Sequence, residues 1–433
     1  MKVVKNKLFW LADTLKGKPL KNDLDDITQC LEFSTFSELK ALTKPKLDAL
    51  LNIAVENTTF YKKNKGYKSL SDFPVINKIV IKNNADDFTI LKDKDEKLFK
   101  VSTSGSTGTP HTIYQTQRKK IRNRADVLYF GKTSGYSIGD QLLYLRLWAA
   151  YNKKNAVIAK LQNIKQLDIS DLYDDNKISK LINTLEKDSS TKAWIGYGSG
   201  FETICQYLDK VKSPKLNCNI KSIIAIAEYL SPTVKEKMEY YFQCPTVSRY
   251  SNVENGIIAQ QLPNDDFFTV NWASYIVEIL NLDNDKPVKT GETGRIVITD
   301  LYNHATPMIR YDTGDIGAFS KPANPDALPK LSRIQGRKMD VLFTTSGSLL
   351  NPYVLWGQAY QFPELDQIQY IQVSKKEYTI KINSKLPFKR EDHLLSLFKN
   401  EVGIDANIHF EYVSEIPTLR SGKRKLTVNL YSK

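Results

Sequence analysis

A stretch rich in glycine, serine and threonine, residues 101–110 (VSTSGSTGTP), has the composition of a phosphate-binding loop. Gly105 and Gly108 let the backbone approach a ligand closely, and successive N–H groups and hydroxyls can donate hydrogen bonds to phosphate oxygens. The stretch lacks the Gly-Lys-Ser/Thr ending of a Walker loop. Taken alone it fits a flexible linker equally well, but strand-like sequence on both sides favours a phosphate loop.

The segment YSNVE, Tyr250 to Glu254, combines an aromatic ring with a carboxylate. A tyrosine face can stack on adenine, and Mg²⁺ is usually bound by one or two carboxylates together with substrate phosphates. In isolation the motif is weak, because an exposed glutamate in a loop is the commoner case. The segment therefore gives a nucleotide and Mg²⁺ hypothesis that needs support from other motifs.

Three further motifs carry polar groups suited to a nucleotide. In MIRYDTGD, Asp315 follows a predicted Thr-Gly turn at a strand end, and an ionised carboxylate there could accept hydrogen bonds from ribose hydroxyls. A capped turn explains that motif equally well. RIQGRKMD ends at Asp340, and PTLRSGKRK carries Lys423 in a glycine-flanked loop, where it could act as a mobile positive charge. A solvated basic tail is the simpler interpretation of that last motif by itself.

The elements that must position these motifs predict an α/β core with parallel sheet. Residues 1–100 are mainly helical in pattern, whereas KLFKVSTS and HTIYQT predict strands around the glycine-rich stretch. Short apolar runs at 141–148, 192–198 and 221–227 have the length of buried strands and alternate with helical segments. One helix is well marked by Ser231 as N-cap and Pro232 at its first position. Residues 267–300 are strand-rich.

The length of 433 residues exceeds one hydrophobic core, so at least two domains are expected. From about residue 338 the pattern predicts a small unit of strand, strand, helix and strand. We place the boundary near Arg337 to Asp340, with domains 1–336 and 337–433.

Composition excludes several classes of protein. The four cysteines form no CxxC pair, which argues against a disulfide scaffold and a zinc ribbon. No stretch is apolar and long enough to cross a bilayer, and the basic start lacks the features of a signal peptide, so a cytoplasmic protein is expected. The net charge of +14 raises a nucleic-acid hypothesis, but lysines interleaved with acidic residues favour a solvated basic surface without specific nucleic-acid binding.

The order of the five motifs resembles that of the adenylate-forming superfamily of acyl-CoA synthetases, adenylation domains and luciferases, from about residue 97 to 425. The resemblance is closest to the phenylacetate-CoA ligase-like branch, which includes members associated with capsular polysaccharide synthesis. The segments WIGYGSGFETI (194–204), IIAIAEYL (223–230) and NHATPMIRYDTGD (303–315) carry that closer likeness.

The resemblance implies an α/β fold with a large N-terminal ATP- and acyl-binding domain of parallel sheets and helices. A small, mobile α+β C-terminal domain would carry the catalytic lysine. The implied sites are a phosphate loop (Thr103, Ser104, Gly105, Ser106, Thr107, Gly108), an adenine contact (Tyr250), an Mg²⁺ ligand (Glu254), ribose ligands (Asp315, Arg337), a lysine on the carboxylate and α-phosphate (Lys423), and an acyl pocket (Tyr197, Gly198, Ala225, Ala227).

The sequence also departs from the family pattern. His111 replaces the lysine that usually follows the proline of the phosphate loop, and Met339 stands where relatives place the Asp or Lys of the hinge. Some relatives bind zinc through Cys and His residues after the glutamate motif. Residues 255–275 contain neither, so no zinc is expected.

The resulting hypothesis is an AMP-forming acid–thiol ligase that uses ATP and Mg²⁺, releases pyrophosphate and passes the acyl group to coenzyme A. Two alternatives remain open at this stage. The acceptor could be the thiol of a carrier protein, or an amine such as that of an amino sugar in surface polysaccharide synthesis. A degenerate nucleotide- or nucleic-acid-binding protein is the non-enzymatic alternative, although both Glu254 and Lys423 are retained.

Overall fold

The computed structural model describes residues 2–90, 97–103, 111–148, 153–322, 324–337, 341–350, 355, 358, 361–362, 364–384, 387–417 and 425–431. Lys423 and residues 104–108 of the candidate phosphate loop lie outside this set, as does Met339. For Thr103, His111 and Arg337 only the backbone is described.

The described residues divide into two compact units. The first contains the residues up to Thr313 together with Ala318–Arg333, and the second contains Gly314–Gly317 together with the residues from Ile334 onward. The domain boundary between 336 and 337, and the mobility of the C-terminal domain, stay predictions.

The N-terminal part of the first unit is mainly helical, as expected. Its helices are α1 (Lys2–Thr14), α2 (Pro19–Glu32), α3 (Phe36–Asn57), α4 (Lys78–Asn83) and α5 (Ala85–Phe88), with a short strand β1 (Ile76–Asn77) between α3 and α4. A capping box starts α3, because the Thr35 side chain accepts from the backbone of Glu38 and the Glu38 side chain accepts from the backbone of Thr35.

A β-hairpin follows, and both of its strands were predicted. Strand β2 (Phe99–Thr103) pairs antiparallel with β3 (His111–Gln115), with Thr103 opposite His111. The candidate phosphate-loop residues connect these two strands in the sequence. Helix α6 (Gln117–Thr133) begins immediately afterwards, capped by the Thr116 side chain, which accepts from Lys119 N.

The centre of the first unit is a parallel sheet with helices between its strands. The strands are β4 (Gln141–Arg146), β5 (Ile164–Asp168), β6 (Lys192–Tyr197), β7 (Ile220–Ile226) and β8 (Thr246–Asn252). The helices are α7 (Ala156–Leu161), α8 (Asp175–Lys187), α9 (Gly198–Lys210) and α10 (Pro232–Phe242). Strands β6 and β7 are buried almost throughout, which explains their continuous apolar runs. The predicted cap of α10 is confirmed, since the Ser231 side chain accepts from Val234 N.

Antiparallel strands extend this sheet. They are β9 (Gly256–Gln261), β10 (Phe268–Val270), β11 (Tyr275–Leu280), β12 (Gly294–Asp300), β13 (Tyr311–Phe319) and β14 (Lys330–Arg337). Within the described residues the strand order is β11-β12-β13-β14-β10-β9-β8-β7-β6-β4-β5, and β1 pairs with β13. The predicted Thr-Gly turn before Asp315 is wrong, because Thr313 and Gly314 lie inside β13. Gly314 accommodates a φ of +79° there.

The second unit has the predicted order of strand, strand, helix and strand, with one further strand. Strands β15 (Gln367–Gln372), β16 (Glu377–Asn383), β17 (Asn407–Tyr412) and β18 (Thr427–Asn429) pair in the order β17-β16-β15-β18, and helix α11 spans Glu391–Val402. Alternate residues of β16 are buried and pack with apolar residues of α11, including Phe398, in one core. No helix in the described residues is long and apolar enough to cross a membrane.

Candidate active site

The carboxyl ends of β6, β7 and β8 meet at one edge of the sheet. The pairing places Tyr197 opposite Ile226 and Ile226 opposite Arg249, so the predicted residues Gly198, Ala227 and Tyr250 all follow at the same level. The sheet changes from parallel to antiparallel pairing directly after β8. In α/β sheets, ligands bind outside the carboxyl ends of the parallel strands.

Glu254 lies in the three-residue turn between β8 and β9 and is half-buried. Its backbone carbonyl accepts a hydrogen bond from Gln115 Nε2 at 2.8 Å, and its carboxylate Oε1 accepts one from the Tyr311 hydroxyl at 3.1 Å. The turn also closes on itself, because Asn255 N donates to Asn252 Oδ1 at 2.7 Å. Glu254 is therefore held at its backbone by β3 and at its carboxylate by β13, two elements distant in sequence.

A fully buried charge pair lies beneath this turn. Lys119 Nζ is 2.6 Å from Asp300 Oδ2 and 3.2 Å from the Tyr275 hydroxyl, and the Lys119 and Asp300 side chains are 0% exposed. The Tyr275 hydroxyl donates to the backbone carbonyl of Asn255 at 2.5 Å, and Asn255 Nδ2 is 3.4 Å from Asp300 Oδ2. Burial raises the pKa of Tyr275 well above its usual value, so its hydroxyl keeps the proton that it donates.

The backbone conformation and the close packing at position 256 both require glycine. Its φ is +112°, and a Cβ there would lie 2.9 Å from Asn123 Oδ1 and 3.2 Å from the Tyr275 hydroxyl. A side chain at this position would push the start of β9 away from its support. Sequence reasoning missed Gln115, Lys119, Tyr275 and Asp300, since no spacing along the chain links them.

Tyr250 is half-buried on β8, and its hydroxyl donates to Thr313 Oγ1 at 3.2 Å. Thr313 Oγ1 in turn donates to the carbonyl of Ile296 at 2.9 Å. These bonds tie the Tyr250 hydroxyl on β8 to Thr313 on β13 and, through Thr313, to Ile296 on β12. Asp315 is half-buried on β13 and falls in the second unit, so its role as a ribose ligand stays a prediction.

The candidate acyl pocket is built around an unusual turn after β7. Ala227 has a φ of +67°, and Glu228 N donates to the carbonyl of Ile226 at 2.8 Å, which closes a strained three-residue turn. Glu228 Oε2 accepts from Ser199 N at 2.9 Å, which ties this turn to the start of α9. A Cβ on Gly198 would lie 2.5 Å from the carbonyl of Tyr229, so only glycine permits this approach.

The four predicted pocket residues differ in accessibility. Tyr197 is 5% exposed and Ala225 is 0% exposed, whereas Ala227 is exposed. The structure thus brings Tyr197, Gly198 and Ala227 to one edge of the sheet, whereas Ala225 is packed inside the sheet and offers no surface to a ligand.

The donor set fits Mg²⁺ rather than a metal held by protein ligands alone. Mg²⁺ usually keeps several waters and is bound through one or two carboxylates together with phosphates. Glu254 supplies one oriented carboxylate. Among the described residues no group of three or more His, Cys, Asp or Glu side chains could hold a metal ion. The expectation of no zinc stays a prediction.

Known proteins resemble this chain over most of its length. The family model of the CapK C-terminal domain matches residues 342–430. Protein CapK of Staphylococcus aureus is 24% identical, covering 98% of this chain and 95% of its own length. Phenylacetate-coenzyme A ligase of Escherichia coli K12 is 21% identical, covering 84% of this chain and 86% of its own length.

The resemblance to the adenylate-forming superfamily is confirmed. A crystal structure of 2-hydroxyisobutyryl-CoA ligase in the postadenylation state superposes with a TM-score of 0.68 at 16% identity, covering 93% of this chain and 91% of that one. The predicted α/β class and the phenylacetate-CoA ligase-like branch are confirmed with it, as is the prediction of an adenylate-forming ligase.

Proposed function

We propose that the chain activates a carboxylic acid with ATP as its acyl-adenylate, releases pyrophosphate and transfers the acyl group to coenzyme A. The observation that carries the proposal is the Glu254 turn, held between β3 and β13 at the sheet edge where Tyr250 and the strained Ala227 turn also lie. Relatives named as CoA ligases support the acceptor, and one of them has been crystallised in an open conformation with an acyl-AMP and CoA.

In this proposal each predicted residue has a separate task. Tyr250 packs on adenine, and Thr103 to Gly108 hold the β- and γ-phosphates. Asp315 and Arg337 bind the ribose hydroxyls. Lys423 of the small domain contacts the carboxylate and the α-phosphate. Tyr197, Gly198 and Ala227 line the acyl pocket, and Glu254 is the protein ligand of Mg²⁺.

The chemistry explains why such groups are needed. A carboxylate is a poor acyl donor, so its oxygen first attacks the α-phosphorus of ATP, and the bond to pyrophosphate breaks. When bound, Mg²⁺ supplies positive charge to the phosphates. The protein must bring two anions together and hold them in line, which makes positioning and electrostatics its main contributions. The thiol of coenzyme A then attacks the acyl carbon and releases AMP.

A second acceptor has some support from the sequence. Met339 replaces the usual hinge residue, which would affect how the small domain turns between adenylation and transfer. The match to CapK also extends over 98% of the chain, more than the match to phenylacetate-coenzyme A ligase. Transfer to a carrier-protein thiol or to an amine such as an amino sugar is therefore the second candidate function.

Pyrophosphate release with ATP, Mg²⁺ and a panel of carboxylic acids tests the proposal. The variant Glu254→Gln should abolish Mg²⁺-dependent release while keeping the melting temperature. Glu236→Gln is the matched control, because Glu236 is exposed on α10. Near-normal turnover by Glu254→Gln would refute the site. Parallel reactions containing coenzyme A or an amino sugar would separate the two acceptors.

A further inference from the structure

Arginine and tyrosine side chains border an apolar patch on one face of the parallel sheet. The pairing aligns Tyr144 with Ile195, Ile195 with Ile224, and Ile224 with Val247. Residues two positions further along a strand point to the same face. The next row across the same face, at the carboxyl ends of the strands, therefore consists of Arg146, Tyr197, Ile226 and Arg249.

Arg249 is buried, with 7% exposure, and its hydrogen-bond partner among the described residues is neutral. Its Nε donates to Gln260 Oε1 at 2.6 Å. Gln260 is itself held by the carbonyl of Phe130 at 2.8 Å and by Ser134 Oγ at 2.6 Å. Within the part of the chain that the structure describes, no carboxylate pairs with Arg249 and no group accepts from its two terminal nitrogens.

The other buried arginines of the described residues are compensated. Arg122 pairs with Asp23 and Asp26, and Arg310 pairs with Glu278 at 3.0 Å. Buried charges in proteins are ordinarily paired in this way. Burial lowers the pKa of Arg249 only to about 10, so the guanidinium remains charged at neutral pH. A positive charge without a described counter-ion thus lies at the edge of the sheet.

The position of Arg249 relates this charge to the acyl group rather than to the nucleotide. Arg249 and Tyr250 are consecutive on β8, so their side chains point to opposite faces of the sheet. Tyr250 is the proposed adenine contact. Arg249 shares its face with Tyr197, which is proposed to line the acyl pocket. It pairs with Ile226, the residue directly before Ala227, which is also proposed to line that pocket.

We propose that Arg249 determines specificity by binding a second carboxylate of the acid substrate, distinct from the carboxylate that is activated. The substrate class is therefore a dicarboxylic acid, whose far end would supply the missing counter-charge through two parallel hydrogen bonds to the guanidinium. This inference rests on the proposed function, because it describes the acyl pocket of the same site.

Matched substrate pairs test this assignment. Pyrophosphate release is measured with saturated dicarboxylic acids from malonic to adipic and with the monomethyl ester of each, which has one carboxylate at similar size. Wild-type protein should prefer a free diacid over its monoester by about 30-fold or more in kcat/KM, the scale of leaving one buried charge unpaired. Arg249→Gln should remove that preference, mainly through KM, while retaining turnover of the monoester.

Two variants control for folding and for bulk charge. Arg249→Lys keeps the charge without the bidentate geometry, so it should retain only part of the preference. Arg124→Gln removes an exposed charge on α6 and should leave the preference unchanged. Melting temperatures are measured for each variant. If Arg249→Gln does not fold, the diacid preference of Arg249→Lys is used instead. A partial loss of that preference supports the assignment, and an unchanged preference overturns it.

The possible results separate this inference from the proposed function. Adenylation of acids with no preference for diacids over monoesters overturns the role of Arg249 and leaves the proposed function intact. An equal loss on diacids and monoesters in Arg249→Gln also overturns it, because Arg249 would then act on the reacting carboxylate or only on the fold. No pyrophosphate release with any acid overturns both.

Discussion

Replacing Lys119 by methionine should destabilise the first compact unit strongly. The substitution keeps a long side chain but removes the ammonium group that lies 2.6 Å from Asp300 Oδ2, in a place where both side chains are 0% exposed. Asp300 would keep the backbone N–H of Tyr302 on Oδ1 at 3.1 Å and the amide of Asn255 on Oδ2 at 3.4 Å. Neither group is charged, so the carboxylate would stay buried without compensation.

The size of the effect follows from this burial. Removing one partner of a buried ion pair costs about 3–5 kcal/mol, a large part of the roughly 5–15 kcal/mol by which a domain is stable. The double variant Lys119→Met with Asp300→Asn should recover about half of that loss or more, because it removes the uncompensated charge. Lys120→Met is the control on the same helix. Lys120 is half-buried, and its ammonium lies 5.5 Å from the Phe99 ring, a contact worth about 1 kcal/mol.

Urea unfolding followed by tryptophan fluorescence measures these differences. Four of the five tryptophans lie at or before residue 272, so the signal reports mainly on the first unit. Pyrophosphate release should fall in Lys119→Met as well, since the same pair supports the turn that carries Glu254. A loss of stability no larger than that of Lys120→Met, or a double variant as unstable as the single one, would refute the reasoning.

Four further predictions concern Tyr311, Lys423 and the buried cysteines. Tyr311→Phe removes the hydroxyl that donates a hydrogen bond to the Glu254 carboxylate. It should weaken Mg²⁺-dependent adenylation by about 10-fold, the usual scale for a group that orients a metal ligand. The rate of transfer from synthetic acyl-adenylate should not change. Lys423→Ala should lower adenylation by a factor on the order of 10², whereas Lys425→Ala, which also removes one charge, should not; equal losses would contradict the role of Lys423. The four cysteines are buried, and burial raises the pKa of Cys205 to about 12, so a thiol reagent at pH 8 should label only unfolded protein. The folded Cys205 thiol holds its proton more tightly than the unfolded one, so its contribution to stability is complete below about pH 9 and is lost as pH rises towards 12. The free energies of unfolding of wild type and Cys205→Ala, measured across that pH range, test this. Parallel pH curves for the two proteins would contradict it.

The sequence by itself determined the elements whose signals are local. The hairpin around the glycine-rich stretch, the buried strands β6 and β7, and the cap of α10 were all predictable, because alternation, apolar runs and capping residues act over a few neighbours. The order of the five motifs identified the superfamily for a related reason. Each motif is a short segment, and its chemistry is visible in its own residues.

Only the tertiary structure decided which distant groups support the site. Gln115, Lys119, Tyr275 and Asp300 converge on the Glu254 turn through strand pairing and helix packing, and no local pattern encodes those contacts. The Thr-Gly segment before Asp315 shows the same limit. Its residues are typical of a turn, but pairing with neighbouring strands keeps them in β13.

Burial and charge compensation were also decided in three dimensions. Ala225 and Ala227 are equivalent in sequence terms, yet one lies inside the sheet and the other is exposed where the strand has ended. Arg249 is one of many basic residues in a chain of net charge +14, and nothing in the sequence distinguishes it. Its neighbours across the sheet distinguish it from the other basic residues, because the free energy of a buried charge depends on the groups around it and not on its position in the chain.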